Sequence, residues 1–156
     1  MISVLFVCHG NICRSPMAEA IFRHLLEQRG WTERVEVDSA AVSEEEVGSP
    51  VDFSANAELV KHGLPRSNHI ARQLTQADYD SFDYILGMDM DNYNRIKRTL
   101  GGDPKKKVGL LMGYTEQPRE IEDPWFTGRF AHVYAEIEEG CEAFLSELAR
   151  DGGWNF

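Results

Sequence analysis

Cys8 and Arg14 are separated by five residues in Cys8-His9-Gly10-Asn11-Ile12-Cys13-Arg14-Ser15-Pro16, directly after the apolar run Ile2–Val7. A thiol and a guanidinium so spaced on a short loop suit attack by sulfur on a bound tetrahedral anion. An unassisted thiol is only about 3% thiolate at pH 7, so the nucleophile needs positive potential around it. Backbone N–H groups curled inward at the start of a helix supply that potential, and so does Arg14. The same donors hold phosphate oxygens, two of them in bidentate fashion on the guanidinium. A nucleotide phosphate loop requires Gly-Lys-Ser/Thr and has no use for a cysteine, so the motif is of another kind. The chemistry implied is in-line attack of the Cys8 sulfur on a phosphate monoester, with a phosphocysteine intermediate. Spacing alone also permits a small buried hydrophobe at Cys8. Gly10, Asn11 and Ser15 inside the loop, with strand and helix flanks, favour the site.

The elements that must position this loop are legible in the hydrophobic pattern. The run up to Val7 reads as a parallel strand covered on both faces. Pro16 suits a first helical position and Ser15 an N-cap. Ala18, Ile21, Phe22, Leu25 and Leu26 recur at helical spacing up to a stop at Gly30. A second strand is expected over Val35–Ala41, an exposed loop over Ser43–Pro50, and a helix over Asp52–His62. Gln76–Phe82 reads as a short helix and Asp83–Met88 as the third strand. Asp89 caps a helix to Leu100, Lys107–Met112 forms the fourth strand, and Gly113–Gly128 is a long loop. In the last helix Phe130, Val133, Tyr134, Ile137, Cys141, Phe144, Leu145 and Leu148 share one face. Strands alternating with helices predict an α/β fold with a doubly wound parallel sheet. Ligands bind such sheets at the carboxyl ends of the strands, where Cys8–Ser15 sits.

Length is most simply that of one domain over residues 1–156. With 26 acidic against 16 basic residues the formal charge is −10, so a nucleic-acid partner is not expected. Any anion site must then be built locally, against the global field. No apolar run is long enough for a transmembrane helix, and no basic segment precedes the opening strand. The expectation is a cytoplasmic protein without membrane association. Three cysteines make no disulfide framework, and Cys8 and Cys13 lack a second ligand pair for zinc. No metal and no cofactor is expected.

The active-site loop, Val37-Asp38-Ser39-Ala40, Gly48-Ser49-Pro50, His69-Ile70-Ala71-Arg72, Asp83-Tyr84-Ile85-Leu86 and Glu122-Asp123-Pro124-Trp125 stand in one order along essentially the whole chain. Together they resemble the low-molecular-weight protein tyrosine phosphatases. The resemblance implies a three-layer, four-stranded parallel sheet with helices on both faces. It also implies hydrolysis of phosphotyrosine in proteins, or of small aryl phosphates, without a metal. Proton donation to a phenolate needs an acid, and composition alone cannot choose among the acidic residues. By itself Asp123-Pro124 reads first as a turn beside packing aromatics. The resemblance implies that Asp123 is the general acid and later the base for water. Trp125 and Phe126 would wall the substrate ring with Ile12, and neither carries the phosphate-accepting hydroxyl that the family often has there. Asn11, Ser15, Ser39 and His69 match a polar network that braces the loop. Cys13 would trap an oxidised Cys8 as a disulfide, although a packed thiol fits the residues equally. Asp89 matches another family position, but helix capping accounts for it, and Cys141 reads as core.

Rival readings remain within the fold. A thiol-dependent arsenate reductase needs relay cysteines near the end of the third strand, where this chain has Ile85-Leu86-Gly87-Met88-Asp89. A protein-arginine phosphatase tends to have threonine in place of Ile12, and an apolar residue better suits an aromatic ring. From another class, a phosphate-binding or redox-sensing module would not need Cys8, Arg14 and Asp123 together. Two departures stand out. Glu44, Glu45 and Glu46 replace a region that commonly lends an aromatic to the pocket wall. Either Glu45 takes that place at an acidic mouth, or the run is a solvated face pointing elsewhere. His9 follows the nucleophile where an aliphatic residue is common, and would add positive charge or touch substrate. Oligomeric state is left open.

Overall fold

The computed structural model describes residues 1–155. Strand β1 (Ile2–Cys8) leads through the loop into helix α1 (Arg14–Arg29). Strand β2 (Val35–Ala41), helix α2 (Phe53–Lys61), helix α3 (Gln76–Ser81) and strand β3 (Tyr84–Gly87) follow. Helix α4 (Met90–Leu100), strand β4 (Val108–Leu110), helix α5 (Pro124–Thr127) and helix α6 (Phe130–Gly152) complete the order. The strands form one sheet of order β2-β1-β3-β4, parallel throughout. β1 is therefore central, and the register pairs Cys8 with Ala41 on one side and Val7 with Gly87 on the other.

Alternation along β1 builds a core on each face. Val4, Phe6 and Cys8 pack with residues of α1, α2 and α6. Leu5 and Val7 pack with Tyr79 of α3 and with Ile96 and Leu100 of α4. The expected three-layer α/β arrangement with helices on both faces is what the chain adopts. Phe144 of α6 ties the larger core together, with ring centroids 5.5 Å from Phe22, 5.2 Å from Tyr84 and 4.8 Å from Tyr114. It thereby joins the helix that follows the loop to the sheet.

Several boundaries differ from the sequence reading, each for a packing reason. The fourth strand is only Val108–Leu110, because Leu111–Tyr114 turns into a 3₁₀ helix whose Leu111 and Met112 are buried under α6. Gly140 permits that approach: a Cβ there would lie 2.8 Å from both Leu111 Cγ and Met112 Sδ. The third strand likewise stops at Gly87 rather than Met88. The long loop is interrupted by α5. Ser15 is not an N-cap. Helix α1 starts at Arg14, preceded by Cys13 at φ −122° and ψ −84° with no side-chain cap. Arg14, Ser15 and Pro16 all precede Met17, whose N–H bonds Cys13 O at 3.1 Å. Pro16 therefore removes no helical hydrogen bond at its third position.

Phe144→Ala leaves a cavity in this core, and we expect a loss of about 3–5 kcal/mol in urea-unfolding stability. A loss below about 1 kcal/mol would show that the aromatic cluster does not carry the α1–sheet contact.

Candidate active site

The loop after β1 is stapled to its neighbours through outward carbonyls. Val42 N–H donates to Cys8 O at 3.0 Å, Ser43 N–H to His9 O at 3.0 Å and Asp52 N–H to Ile12 O at 2.9 Å. Peptide groups whose carbonyls are tied outward present their N–H groups to the inside, which is the nest an anion requires. The bend is made at Asn11, which holds the left-handed φ of 60°. That conformation costs an L-residue about 1–2 kcal/mol, least for Asn or Asp. Four side-chain contacts hold it. Asn11 Nδ2 donates to Ser15 Oγ at 2.8 Å and to Ser39 Oγ at 3.0 Å. Its Oδ1 accepts from Arg72 N at 3.1 Å and from His69 Nε2 at 2.8 Å.

Proton accounting follows from these bonds. Ser15 Oγ accepts from Asn11, so its own proton is free for Cys8 Sγ, 3.1 Å away. Ser15 N–H also points at that sulfur, at 3.4 Å. Ser39 passes its proton to Glu19 Oε1 at 2.7 Å. The expected polar network of Asn11, Ser15, Ser39 and His69 is thus assembled, with Glu19 and Arg72 as further members. His69 lies behind the loop and away from the cavity. Glu19, Asp38 and His69 offer oxygens and a nitrogen within 4.8 Å of one another. They already serve as partners, Glu19 for Arg23 and Ser39, and Asp38 for Arg72.

Arg14 is 2% exposed, and its guanidinium is fully directed. Nη1 donates to Asp89 Oδ2 at 2.7 Å and to Ile121 O at 2.8 Å, while Nη2 faces Asp123 Oδ2 at 3.5 Å. Burial disfavours its charge, but Cys8, Asp89 and Asp123 outweigh that and hold its pKa above the ordinary arginine value. Capping was therefore only half of Asp89's role. One oxygen accepts from Asn92 N at 2.7 Å and caps α4, while the other fixes Arg14. Sequence reasoning missed this because the adjacency of β1 and β3 brings the two together. An acidic residue at the end of the neighbouring strand is the signal that was available.

Asp123 caps α5, taking Trp125 N–H on Oδ1 at 3.1 Å and leaving Oδ2 toward Arg14. Its approach segment is anchored by Ile121 N–H, which donates to Met88 O at 2.9 Å. A cavity of about 110 Å³ lies between these parts. Cys8, His9, Gly10, Ile12, Cys13 and Arg14 line it from the loop, and Asp123, Trp125 and Phe126 from the other side. Trp125 and Phe126 are 58% and 81% exposed, standing as walls open to solvent. Asn11 and Ser15 are completely buried beneath the floor. Glu45 and Glu46 line the mouth, so those two do not point away, whereas Glu44 is not among the lining residues. Cys13 reaches the cavity at 4% exposure, and burial pushes its thiol up, with Asp52, Cys8 and Asp123 adding to the effect. It shares the cavity wall with Cys8. Cys141 is enclosed in the core, as expected, and burial raises its pKa as well.

The family model for low molecular weight phosphotyrosine protein phosphatases matches residues 3–153. The chain belongs to that family. A low molecular weight protein-tyrosine-phosphatase of Bacillus subtilis, YfkJ, is 38% identical over 97% of this chain and 98% of its own. The crystal structure of YfkJ superposes with a TM-score of 0.93, covering 97% of this chain and 96% of that one. The chicken low molecular weight phosphotyrosine protein phosphatase is 45% identical over 93% of this chain and 94% of its own. A Drosophila arginine phosphatase is 38% identical at a TM-score of 0.84, covering 93% of this chain and 96% of that one. The family's four-stranded parallel sheet is the one observed.

Asp89→Ala should lower kcat/KM for an aryl phosphate by about 10²-fold, since misplacing a substrate-holding group by about 1 Å costs that much. Steady-state kinetics with a circular-dichroism check of folding would measure it. Unchanged kinetics in a folded variant would remove Asp89 from the positioning of Arg14.

Proposed function

We propose that this chain is a protein tyrosine phosphatase acting through Cys8, Arg14 and Asp123. The convergence of these three groups on one aromatic-walled cavity carries the reading. The Cys8 thiolate attacks phosphorus, forming the S–P bond as the P–O bond to tyrosine breaks. The Asp123 carboxyl delivers its proton to the departing phenolic oxygen. The resulting carboxylate then takes a proton from water, whose oxygen displaces Cys8 from phosphorus. The S–P electron pair returns to sulfur, where the Ser15 hydroxyl and N–H receive the charge. Arg14 and the loop amides hold the phosphoryl oxygens through both steps, which is stabilisation by groups placed before the reaction begins.

Cys13 we assign as the thiol that captures a Cys8 sulfenic acid, forming a disulfide and releasing water. We read residues 1–156 as one catalytic domain working in the cytoplasm. Supporting this are three free cysteines among the described residues, and no helix there long and apolar enough to cross a membrane. Phosphoproteins are the substrates under this reading, and small aryl phosphates fit the same cavity.

The arginine-directed relative makes a second substrate worth weighing. Ile12 lines the cavity here, and its apolar side chain favours an aromatic ring over a guanidinium linker. The arsenate relay lacks its cysteines, since β3 ends at Gly87 before Asp89. A purely phosphate-binding or redox-sensing module would have no use for a proton donor at the cavity, where Asp123 stands.

Phosphotyrosine peptides should be hydrolysed faster than phosphoarginine peptides, and Cys8→Ser should be inactive on both. Asp123→Asn should lose about 10²–10⁴-fold in kcat on phosphotyrosine while retaining substrate. Faster phosphoarginine turnover would replace the substrate assignment, and full activity of Cys8→Ser would end the mechanism.

A further inference from the structure

His9 lies immediately after the nucleophile, but its ring is directed to the cavity rim rather than to phosphorus. Nδ1 lies 2.9 Å from Arg95 Nη1, on α4, and Nε2 lies 3.2 Å from Glu45 Oε2. A guanidinium can only donate, so Nδ1 is the acceptor. The ring is then neutral, with its proton on Nε2 and donated to Glu45. The chain of bonds runs Arg95 to His9 to Glu45 and is polarised in one direction. Arg95 is steadied from behind by Asp91, 3.6 Å away. Glu45 and Arg95 are the charged groups that the ring faces.

This arrangement restrains a carboxylate that would otherwise be free. Glu45 is 70% exposed, and the His9 contact is its side-chain partner. Beside it Glu46 folds across Gly10, where a Cβ would come within 3.3 Å of Glu46 Cγ, and accepts from Ser49 Oγ at 3.0 Å. Two carboxylates are thus held at the mouth of the cavity that Trp125 and Phe126 also line. Arg14 cannot neutralise them: it is buried and already matched by Asp89 and Asp123. Arg95 is occupied by His9 and Asp91.

We infer that Arg95 and His9 form a strut holding Glu45 at the rim, so that the enzyme selects phosphotyrosines flanked by a basic residue. The inference rests on the phosphatase reading and adds the class of protein sequence that the site accepts. Glu45 is the specificity-determining group, and His9 and Arg95 are positioning residues. The phosphate itself is held deeper, so the selection acts on flanking residues and on KM.

Three phosphotyrosine peptides differing only in a Lys, Gln or Glu beside the phosphotyrosine test this. For the native chain kcat/KM should rank Lys above Gln above Glu, with an end-to-end span of about tenfold at low ionic strength. The span should shrink as salt rises. Glu45→Gln should cut it at least about threefold, the change falling on KM. Arg95→Ala discriminates best. Mere loss of a positive charge would make the mouth more acidic and widen the span. Loss of the strut lets Glu45 swing into solvent and narrows it, with turnover of a small aryl phosphate unchanged and with Arg95→Lys restoring part of the span. A native span near unity, a preference for Glu, or a wider span in Arg95→Ala would each overturn the inference. Turnover of all three peptides at equal rates would leave the phosphatase reading intact, whereas no turnover of any would end both.

Discussion

A guanidinium that is 2% exposed persists only where anions and carbonyls surround it in good geometry, because its desolvation costs several kcal/mol. Arg14 satisfies that demand with Asp89, the Ile121 carbonyl and Asp123. Each comes from a different stretch of chain: the end of β3, the approach to α5, and the cap of α5 itself. The buried charge thus draws the segment of Ile121 and Asp123 and the neighbouring strand end onto the loop that follows β1. The fixed placement of Asp123 against the loop is a consequence of burying one charge correctly. The same arrangement keeps a strong cation beside sulfur in a chain whose formal charge is −10.

Beneath the loop the design is directional. Asn11 accepts an unfavourable backbone conformation because its amide is bonded at both ends. Its bond to Ser15 Oγ commits the serine proton to Cys8, so a buried carboxamide orients a proton at the Cys8 sulfur. Glu19 and Arg72 extend the brace to α1 and to the segment before α3. Preorganisation of this kind works because the low-dielectric floor strengthens each bond and makes an unpaired group costly. The rim follows the opposite logic: Trp125, Phe126 and Glu45 are exposed to solvent.

Much of the frame is legible in the sequence. The periodicities of β1, β2, α1 and α6 are strong, since each buries a continuous face, and their spans match to within a residue or two. Cys8 and Arg14 stand out in the sequence by local chemistry and Asp123 through the family motif, and the fold brings all three to one cavity. Weaker signals failed where tertiary contacts override local preference. β4 shortened because α6 draws Leu111 and Met112 into a 3₁₀ turn through the gap at Gly140. Ser15 looked like a cap, but its hydroxyl is committed to the sulfur and to Asn11, so helix α1 begins without one.

By itself the sequence determined the fold class and the family, because these reside in short-range patterns and contiguous motifs. Only the tertiary structure decided what reaches across the sheet. It doubled Asp89 as the anchor of Arg14, set His69 behind the loop rather than in the cavity, and turned Glu45 and Glu46 toward the mouth. It also linked His9 to Arg95, 86 residues further along. Those outcomes depend on strand order β2-β1-β3-β4, which places α4 beside the loop. Hydrogen bonds between side chains so distant in sequence leave no local periodicity to read.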